Sequence, residues 1–434
     1  MKRKIETELL TWKSADTRMP LLLYGARQVG KTHILCAFGK QNYKNVAYFN
    51  LETNEEVNRY FDKNIEPKHI LTYLETQINA RILPQETLIL FDEIQSCERA
   101  LTSLKYFREL APEYHVAAAG SLLGVAVNRE KSSFPVGNVN SFALFPFDFE
   151  EFLWSQDKEM LAALIKTHYS KDEPLPAPLH EQALELYRNY LIIGGMPRAI
   201  STYNEEKSLI AVGGIQNEIV NNYTADMSKY ADNAESVKIK ACYNSIPQQL
   251  AKENKKFQYK VVQKGGNSNL FGVALDWLSF AGVVNKCAAI TEGTVPLKVY
   301  TDLSNFKLYM SDCGLLTLQS GTPLNIILNP HVESKFMGAI TENYVAQAFT
   351  AKKHPLYFWK SESKTGGKAE VDFILQIEDK IVPVEVKSGT NVASHSLSVF
   401  TKRYGIDYAI RISAKNFGFE KGIKSVPLYA AFCV

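Results

Sequence analysis

The stretch PLLLYGARQVGKT, Pro20 to Thr32, constrains this chain more than any other. An apolar run of the kind that makes a buried strand leads into GARQVGKT, and a helical pattern opens behind it. The spacing is G-x-x-x-x-G-K-[ST]. Gly25 and Gly30 let the backbone curl, so that the loop Gly25, Ala26, Arg27, Gln28, Val29, Gly30, Lys31, Thr32 can turn successive N–H groups inward around phosphate oxygens. The helix that follows adds its positive N-terminal end. Lys31 can reach the β- and γ-phosphates, and the Thr32 hydroxyl can sit on Mg²⁺. ATP with Mg²⁺ is therefore the expected cofactor.

Around this loop the front of the chain alternates strand and helix to about residue 155. NVAYFNLE, TLILFDE and YHVAAAG read as further strands, and ILTYLETQINARIL and ALTSLKYFRELAP as helices. Strands that are apolar throughout and separated by helices predict a parallel sheet covered on both faces. LILFDEIQ supplies the partner motif. Asp92 emerges at the end of an apolar strand and is expected to hold magnesium through water, with Glu93 beside it as the base that orients or deprotonates an attacking water. Ser121, after the fourth strand, reaches the γ-phosphate or the water if that strand lies between the two nucleotide motifs. The alternative for Ser121 is a helix cap.

With 434 residues the chain is long enough for about two to four domains. Its 46% hydrophobic and 22% charged content reads as globular, with no apolar run of membrane-spanning length, and MKRKIETELLTWK reads as an amphipathic helix, not a signal peptide. A cytoplasmic location is expected, with no membrane partner. Six scattered cysteines without a C-x-x-C pair argue against a disulfide framework or zinc knuckle. Net charge is only +3, yet residues 330–434 carry 14 Lys and Arg against 10 Asp and Glu, a weak basic surplus that a polyanion would suit.

The strings GARQVGKT, FDEIQ, AAGSLLGVAV, FPFDFEEFL, GGMPRAI and FKLYMSDCGLL together resemble a widespread group of bacterial and archaeal AAA-type ATPases with a nuclease-like C-terminal half, and the resemblance runs over essentially the whole chain. It implies an α/β multidomain protein: a parallel-sheet P-loop NTPase core of AAA+ type at 1–165, a helical lid at 175–232, a winged-helix segment at 233–322, and a restriction-endonuclease-like α/β domain of PD-(D/E)XK type at 330–434. The string Gly194 to Pro197 would belong to the lid, with Arg198 either a phosphate sensor or a plain surface arginine. One departure stands out. After SFPVG the group usually carries Arg or Lys, and this chain has Asn138, so a basic finger toward a phosphate must come from elsewhere.

The proline-rich KDEPLPAPLH, Lys171 to His180, reads as a linker. Farther on, Leu270, Val273, Ala274, Trp277 and Leu278 recur at helical spacing as one buried face, and AAITEGTVPLKVY suggests a wing hairpin around Glu292-Gly293. A base-reading helix needs Arg, Lys, Asn or Gln aimed at base edges. Ser268 to Ala281 has no Lys or Arg, so this segment reads as a connector or protein-binding module, with Lys252, Lys255, Lys256 and Lys260 available for phosphates.

In AEVDFILQIEDKIVPVEVKSG two strands flank a charged turn, and alternation puts Glu385 and Lys387 on one side of VPVEVK. Antiparallel pairing brings Asp372 beside Glu385, and two carboxylates with an ammonium suit one hard cation. Glu342, in an apolar helical stripe, is a buried carboxylate in want of a cation. Glu342, Asp372, Glu385 and Lys387 follow the order of the PD-(D/E)XK signature. The competing reading is an inert ion-pair cluster in which Lys387 neutralises the acids. Two functions stay open: a Mg-dependent ATPase whose nucleotide cycle controls a nuclease-like domain in DNA processing or defence, or an ATP-dependent switch for protein partners whose nuclease-like domain cuts nothing. The first makes DNA a partner of the C-terminal domain, the second makes the winged-helix segment a protein-binding surface, and either allows an oligomer.

Overall fold

The computed structural model describes residues 1–120, 137–229, 233–330, 332, 334–361, 369–390 and 395–434. They fall into two compact units, Lys2–Phe145 with Phe280–Gly282, and Pro146–Ser279 with Val283–Val434. Among the described residues no helix is long and apolar enough to cross a membrane.

In the first unit β1 (Leu21–Tyr24), β2 (Asn45–Asn50), β3 (Thr87–Asp92), β4 (His115–Gly120) and β5 (Asn140–Ala143) form one sheet in the order β2-β3-β4-β1-β5. Every pairing is parallel. The central strands β3 and β4 are buried at all six positions each, as a sheet covered on both faces requires. The helices are α1 (Ile5–Ser14), α2 (Lys31–Asn42), α3 (Glu55–Lys63), α4 (Pro67–Ile78) and α5 (Glu98–Leu110). Val57, Phe61, Ile70, Leu74, Leu101, Leu104 and Phe107 from α3, α4 and α5 pack with Phe49 and Phe91 into one apolar core. The parallel sheet is the one the sequence predicts. The fifth strand is not: NSFA is four residues long at a sheet edge, too short and too polar to show a pattern.

The second unit begins with α6 (Phe149–Ser155), α7 (Glu159–Lys171), α8 (Ala177–Ile193), α9 (Pro197–Glu206), α10 (Leu209–Lys229), α11 (Asn233–Leu250), α12 (Tyr259–Val262) and the part of α13 (Ser268–Phe280) that reaches Ser279. An eight-stranded mixed sheet follows, in the order β12-β13-β11-β10-β9-β8-β6-β7. Its strands are β6 (Val284–Ile290), β7 (Thr301–Met310), β8 (Tyr357–Lys360), β9 (Glu370–Ile377), β10 (Lys380–Val386), β11 (Ala409–Ser413), β12 (Gly418–Glu420) and β13 (Ile423–Pro427). The helices among them are α14 (Cys313–Ser320), α15 (Leu324–Leu328), α16 (Met337–Ala351) and α17 (His395–Tyr404). In α16 every residue from Ala339 to Phe349 is buried.

Three readings change here. The expected linker KDEPLPAPLH shrinks to the joint 172–176 between α7 and α8, because Pro176 and Pro178 sit at the start of α8, where proline is tolerated. In α13 the buried face is Phe271, Ala274, Leu275 and Leu278 with Trp277, while Val273 is 67% exposed. That helix is apolar nearly all round, so periodicity could not choose between two stripes one position apart. Of the expected wing hairpin AAITEGTVPLKVY only the first arm is a strand, at the end of β6; Leu297–Tyr300 is a 3-10 helix, and β6 pairs antiparallel with β7 and parallel with β8, which joins them to the C-terminal strands in one sheet.

Candidate functional site

The loop from Gly25 to Thr32 joins the end of β1 to the start of α2. Gly30 caps α2 in the left-handed region, φ +95°. At Gly25, φ +156°, a Cβ would lie 2.1 Å from the Leu144 carbonyl oxygen, so no side chain fits. The first N–H groups of α2 have no acceptor inside the helix and face the loop's end of the sheet. Lys31 is buried, and its Nζ donates to the carbonyl oxygens of Gly25 at 3.0 Å and Ala26 at 2.8 Å.

Asp92, the last residue of β3, is buried and accepts hydrogen bonds from Thr32 Oγ1 at 2.9 and 3.0 Å. The hydroxyl and carboxylate expected to share a magnesium ion are thus already side by side. Glu93 follows in the left-handed conformation, φ +51°, ψ +45°, and its Oε2 accepts from Gln95 Nε2 at 2.5 Å. Few non-glycine residues adopt that backbone, and such strain clusters where a side chain must be aimed. The order β3-β4-β1 sets β4 between the strands that carry the two motifs. Ser121, the residue after β4, lies outside the described residues.

Two participants were missed in the sequence. Tyr48 OH donates to Asp92 Oδ2 at 2.8 Å, and Asn50 Nδ2 donates to Tyr48 OH at 3.4 Å. Burial first, and then the Asp92 charge among its neighbours, pushes the Tyr48 phenol up to about 12. Asn50 sits opposite Asp92 in the β2–β3 register. Their signal was present, since polar residues at the carboxyl end of a strand in a parallel sheet face its ligand crevice. At Asn138 a basic group returns from another element: Arg108 Nη1, on α5, donates to Asn138 Oδ1 and to Gly137 O, both at 2.6 Å. Arg198 pairs with Glu218 at 2.8 Å, both half-exposed.

In the second unit β9 and β10 pair antiparallel, with Phe373 opposite Val384. Asp372 therefore lies next to Glu385, and its Oδ2 accepts from Val386 N at 2.8 Å. Lys387 Nζ is 2.7 Å from Glu385 Oε1. The other oxygen, Glu385 Oε2, is buried without a hydrogen-bond partner. Burial, with the charges of Glu342 and Glu385, pushes the Asp372 carboxyl up to about 7. Glu342, on α16, meets different company: Lys255 Nζ on Oε2, and Lys307 Nζ at 3.1 Å together with the Tyr309 hydroxyl on Oε1. Burial alone would raise this carboxyl, but Lys255 and Lys307 outweigh it and hold it well below the usual range. Lys307, itself buried, also contacts Glu370 at 2.8 Å, and Lys360 reaches Glu370 at 3.4 Å.

Both sets of residues can be tested for the ions they suggest. In the first unit a buried amine, eight loop residues and an adjacent hydroxyl–carboxylate pair fit a magnesium-bound triphosphate. In the second, Asp372 and Glu385 with its orphaned oxygen fit one hard cation. Among the described residues no three His, Cys, Asp or Glu side chains are grouped so as to share an ion.

Residues 17–153 match the family model of an AAA domain. The front of the chain is thus similar to an AAA domain. Behind it, residues 184–324 match a domain of unknown function (DUF8612) and residues 337–431 another (DUF4143). No curated protein matches the chain. Among solved structures it is similar to a Walker-type ATPase of Pyrococcus abyssi, with 13% identity, a TM-score of 0.45, and 73% of this chain and 95% of the other covered. The Aeropyrum pernix ORC1 protein in complex with DNA matches at 12% identity and a TM-score of 0.29, covering 75% and 94%. AMPPCP-bound DnaA from Aquifex aeolicus matches at 14% and 0.30, covering 64% and 89%.

Proposed function

We propose that the AAA domain binds ATP with Mg²⁺ and hydrolyses it, and that this cycle controls the C-terminal domain. The observation that carries the reading is the meeting of Lys31, Thr32 and Asp92 with Glu93 held next to them. Gly25 to Thr32 would hold the phosphates, with Thr32 and Asp92 on the metal. Magnesium-bound ATP supplies the phosphoanhydride bond that water cleaves and offsets charge on the leaving group. Lys31 carries a fixed positive charge to the phosphates. Glu93 orients a water and accepts its proton on a carboxylate oxygen, while Gln95 limits where that carboxylate can point. Ser121 as sensor, the lid at 175–232 and the winged-helix connector at 233–322 belong to the same proposal. Lys31→Ala should abolish nucleotide binding in calorimetry, and Glu93→Gln should keep binding while losing turnover. Unchanged turnover in Glu93→Gln would mean that another group activates the water.

A second reading, an ATP-dependent switch whose nuclease-like domain does not cut, draws on one specific feature. Glu342, first in the E…D…ExK order, already holds two ammonium groups and a hydroxyl, so its charge is met without a metal. Full-length protein should decide between them. Mn²⁺- or Mg²⁺-dependent cleavage of DNA or RNA that disappears in Asp372→Ala and Lys387→Ala supports control of a nuclease. No cleavage under any nucleotide or metal condition supports the switch.

A further inference from the structure

At the far edge of the eight-stranded sheet a cavity of about 450 Å³ opens between β11, β12 and β13. Its walls include Arg411, Lys415 and Lys421. The volume lies in the range of sites for small ligands. Glu420 is the only acid among its lining residues, and it is matched by Lys421 at 3.5 Å.

Arg411 makes this cavity different from a solvated basic face. It stands on β11 in register with Glu385 on one side and Ser425 on the other. The side chain is not exposed, and its Nε is buried without a hydrogen-bond partner. Other sheltered cations of this domain are met: Lys307 by Glu342 and Glu370, Lys424 by Asp172 at 2.9 Å, Lys387 by Glu385. Among the described residues Arg411 has no ion-pair partner, although Glu385 is its register neighbour. A sheltered guanidinium left unmatched is costly, and its planar fork suits a phosphate.

The walls are also built, not draped. Lys421 and Gly422, with φ of +52° and +77°, form the tight turn between β12 and β13. Such a turn has the twist of the strands it joins. The Gly422 carbonyl accepts from Ala409 N at 2.9 Å, and a Cβ at Gly422 would lie 2.2 Å from Asp407 O, so the turn is seated against β11. A half-buried guanidinium with two lysines at its rim matches a phosphate group.

We propose that this cavity binds the phosphate of a nucleotide unit, on Arg411, Lys415 and Lys421. The unit comes either from a nucleic-acid strand or from a free mononucleotide. This site is separate from the P-loop and does not depend on cleavage at Asp372 and Glu385.

The test uses full-length protein carrying Lys31→Ala, so that the front site does not contribute. Fluorescent ten-residue oligothymidylate is titrated by anisotropy, and thymidine monophosphate by calorimetry. At least one probe should bind, and Arg411→Gln should weaken it by about tenfold or more, with partial recovery in Arg411→Lys. Lys421→Gln, on the exposed turn, cannot disturb the core and should weaken binding by about threefold. Binding of the oligonucleotide alone assigns the site to a strand, and binding of the mononucleotide assigns it to the free ligand. If neither probe binds, or if both Arg411→Gln and Lys421→Gln bind as well as their parent, the proposal is wrong.

Discussion

Asp312 offers the sharpest test of the packing in the second unit. It is fully buried between β7 and α14, accepting hydrogen bonds from Gly195 N at 2.6 Å and Leu315 N at 2.9 Å. Gly194, φ +71°, leaves the room for it, since a Cβ there would lie 2.2 Å from Asp312 Oδ1. Burial pushes this carboxyl from 3.8 up to about 6, against the pull of the Gly195, Leu315 and Gly314 amides. A shift of about two units corresponds to ~3 kcal/mol. The native state holds the proton more tightly than the unfolded chain. The contribution is therefore fully present below the unfolded value near 3.8 and is lost as pH rises through about 6. Asp312→Asn has no proton to release, so its other effects are constant with pH. Urea unfolding followed by tryptophan fluorescence at a series of pH values from 4 to 7 reads the difference between the two proteins. Wild type should lose ~3 kcal/mol relative to Asp312→Asn across that range. A difference that stays flat, or moves in favour of wild type as pH rises, refutes the assignment.

Tyr48→Phe removes one donor from Asp92. A hydrogen bond to a charged group is worth ~1.5 kcal/mol, so affinity for nucleotide with magnesium should fall by about tenfold and affinity without magnesium should not change. Calorimetry under both conditions checks this, and equal affinities in the two proteins would remove Tyr48 from the site. Lys307→Met leaves Glu342 and Glu370 without their shared buried cation and should destabilise the protein by ~3–5 kcal/mol. Adding Glu342→Gln and Glu370→Gln should restore much of the loss in urea unfolding, and no restoration would mean that Lys307 acts through packing instead.

The nucleotide site was legible because its signal is local. Eight contiguous residues, one strand before them and one acidic strand end after them are enough to place a curled backbone, an amine and an adjacent hydroxyl–carboxylate pair. Asp92 and Thr32 are 60 positions apart, yet each is fixed by the strand or helix that carries it, and the parallel order of the sheet brings them together. Tyr48 was harder, because its role depends on β2 lying beside β3, and strand order is set by packing of helices on both faces.

The C-terminal cluster shows the opposite case. Alternation along β10 placed Glu385 and Lys387 together, and the short turn before it brought in Asp372. Nothing local announces that Lys255 and Lys307 reach Glu342 from 87 and 35 positions away. The GGMP and SDCGLL strings likewise look like unrelated signatures in one dimension, and only their contact through Asp312 explains the glycines.

The sequence by itself determined the phosphate-binding loop, the acidic strand end and the parallel sheet that holds them, because backbone curvature and period-two burial are properties of neighbouring residues. Which charges meet, which carboxylate keeps an oxygen for a cation, and which arginine is left unmatched were decided only by the tertiary structure. Charge pairing acts through space over a few ångströms, and the chain distance between partners carries no trace of it.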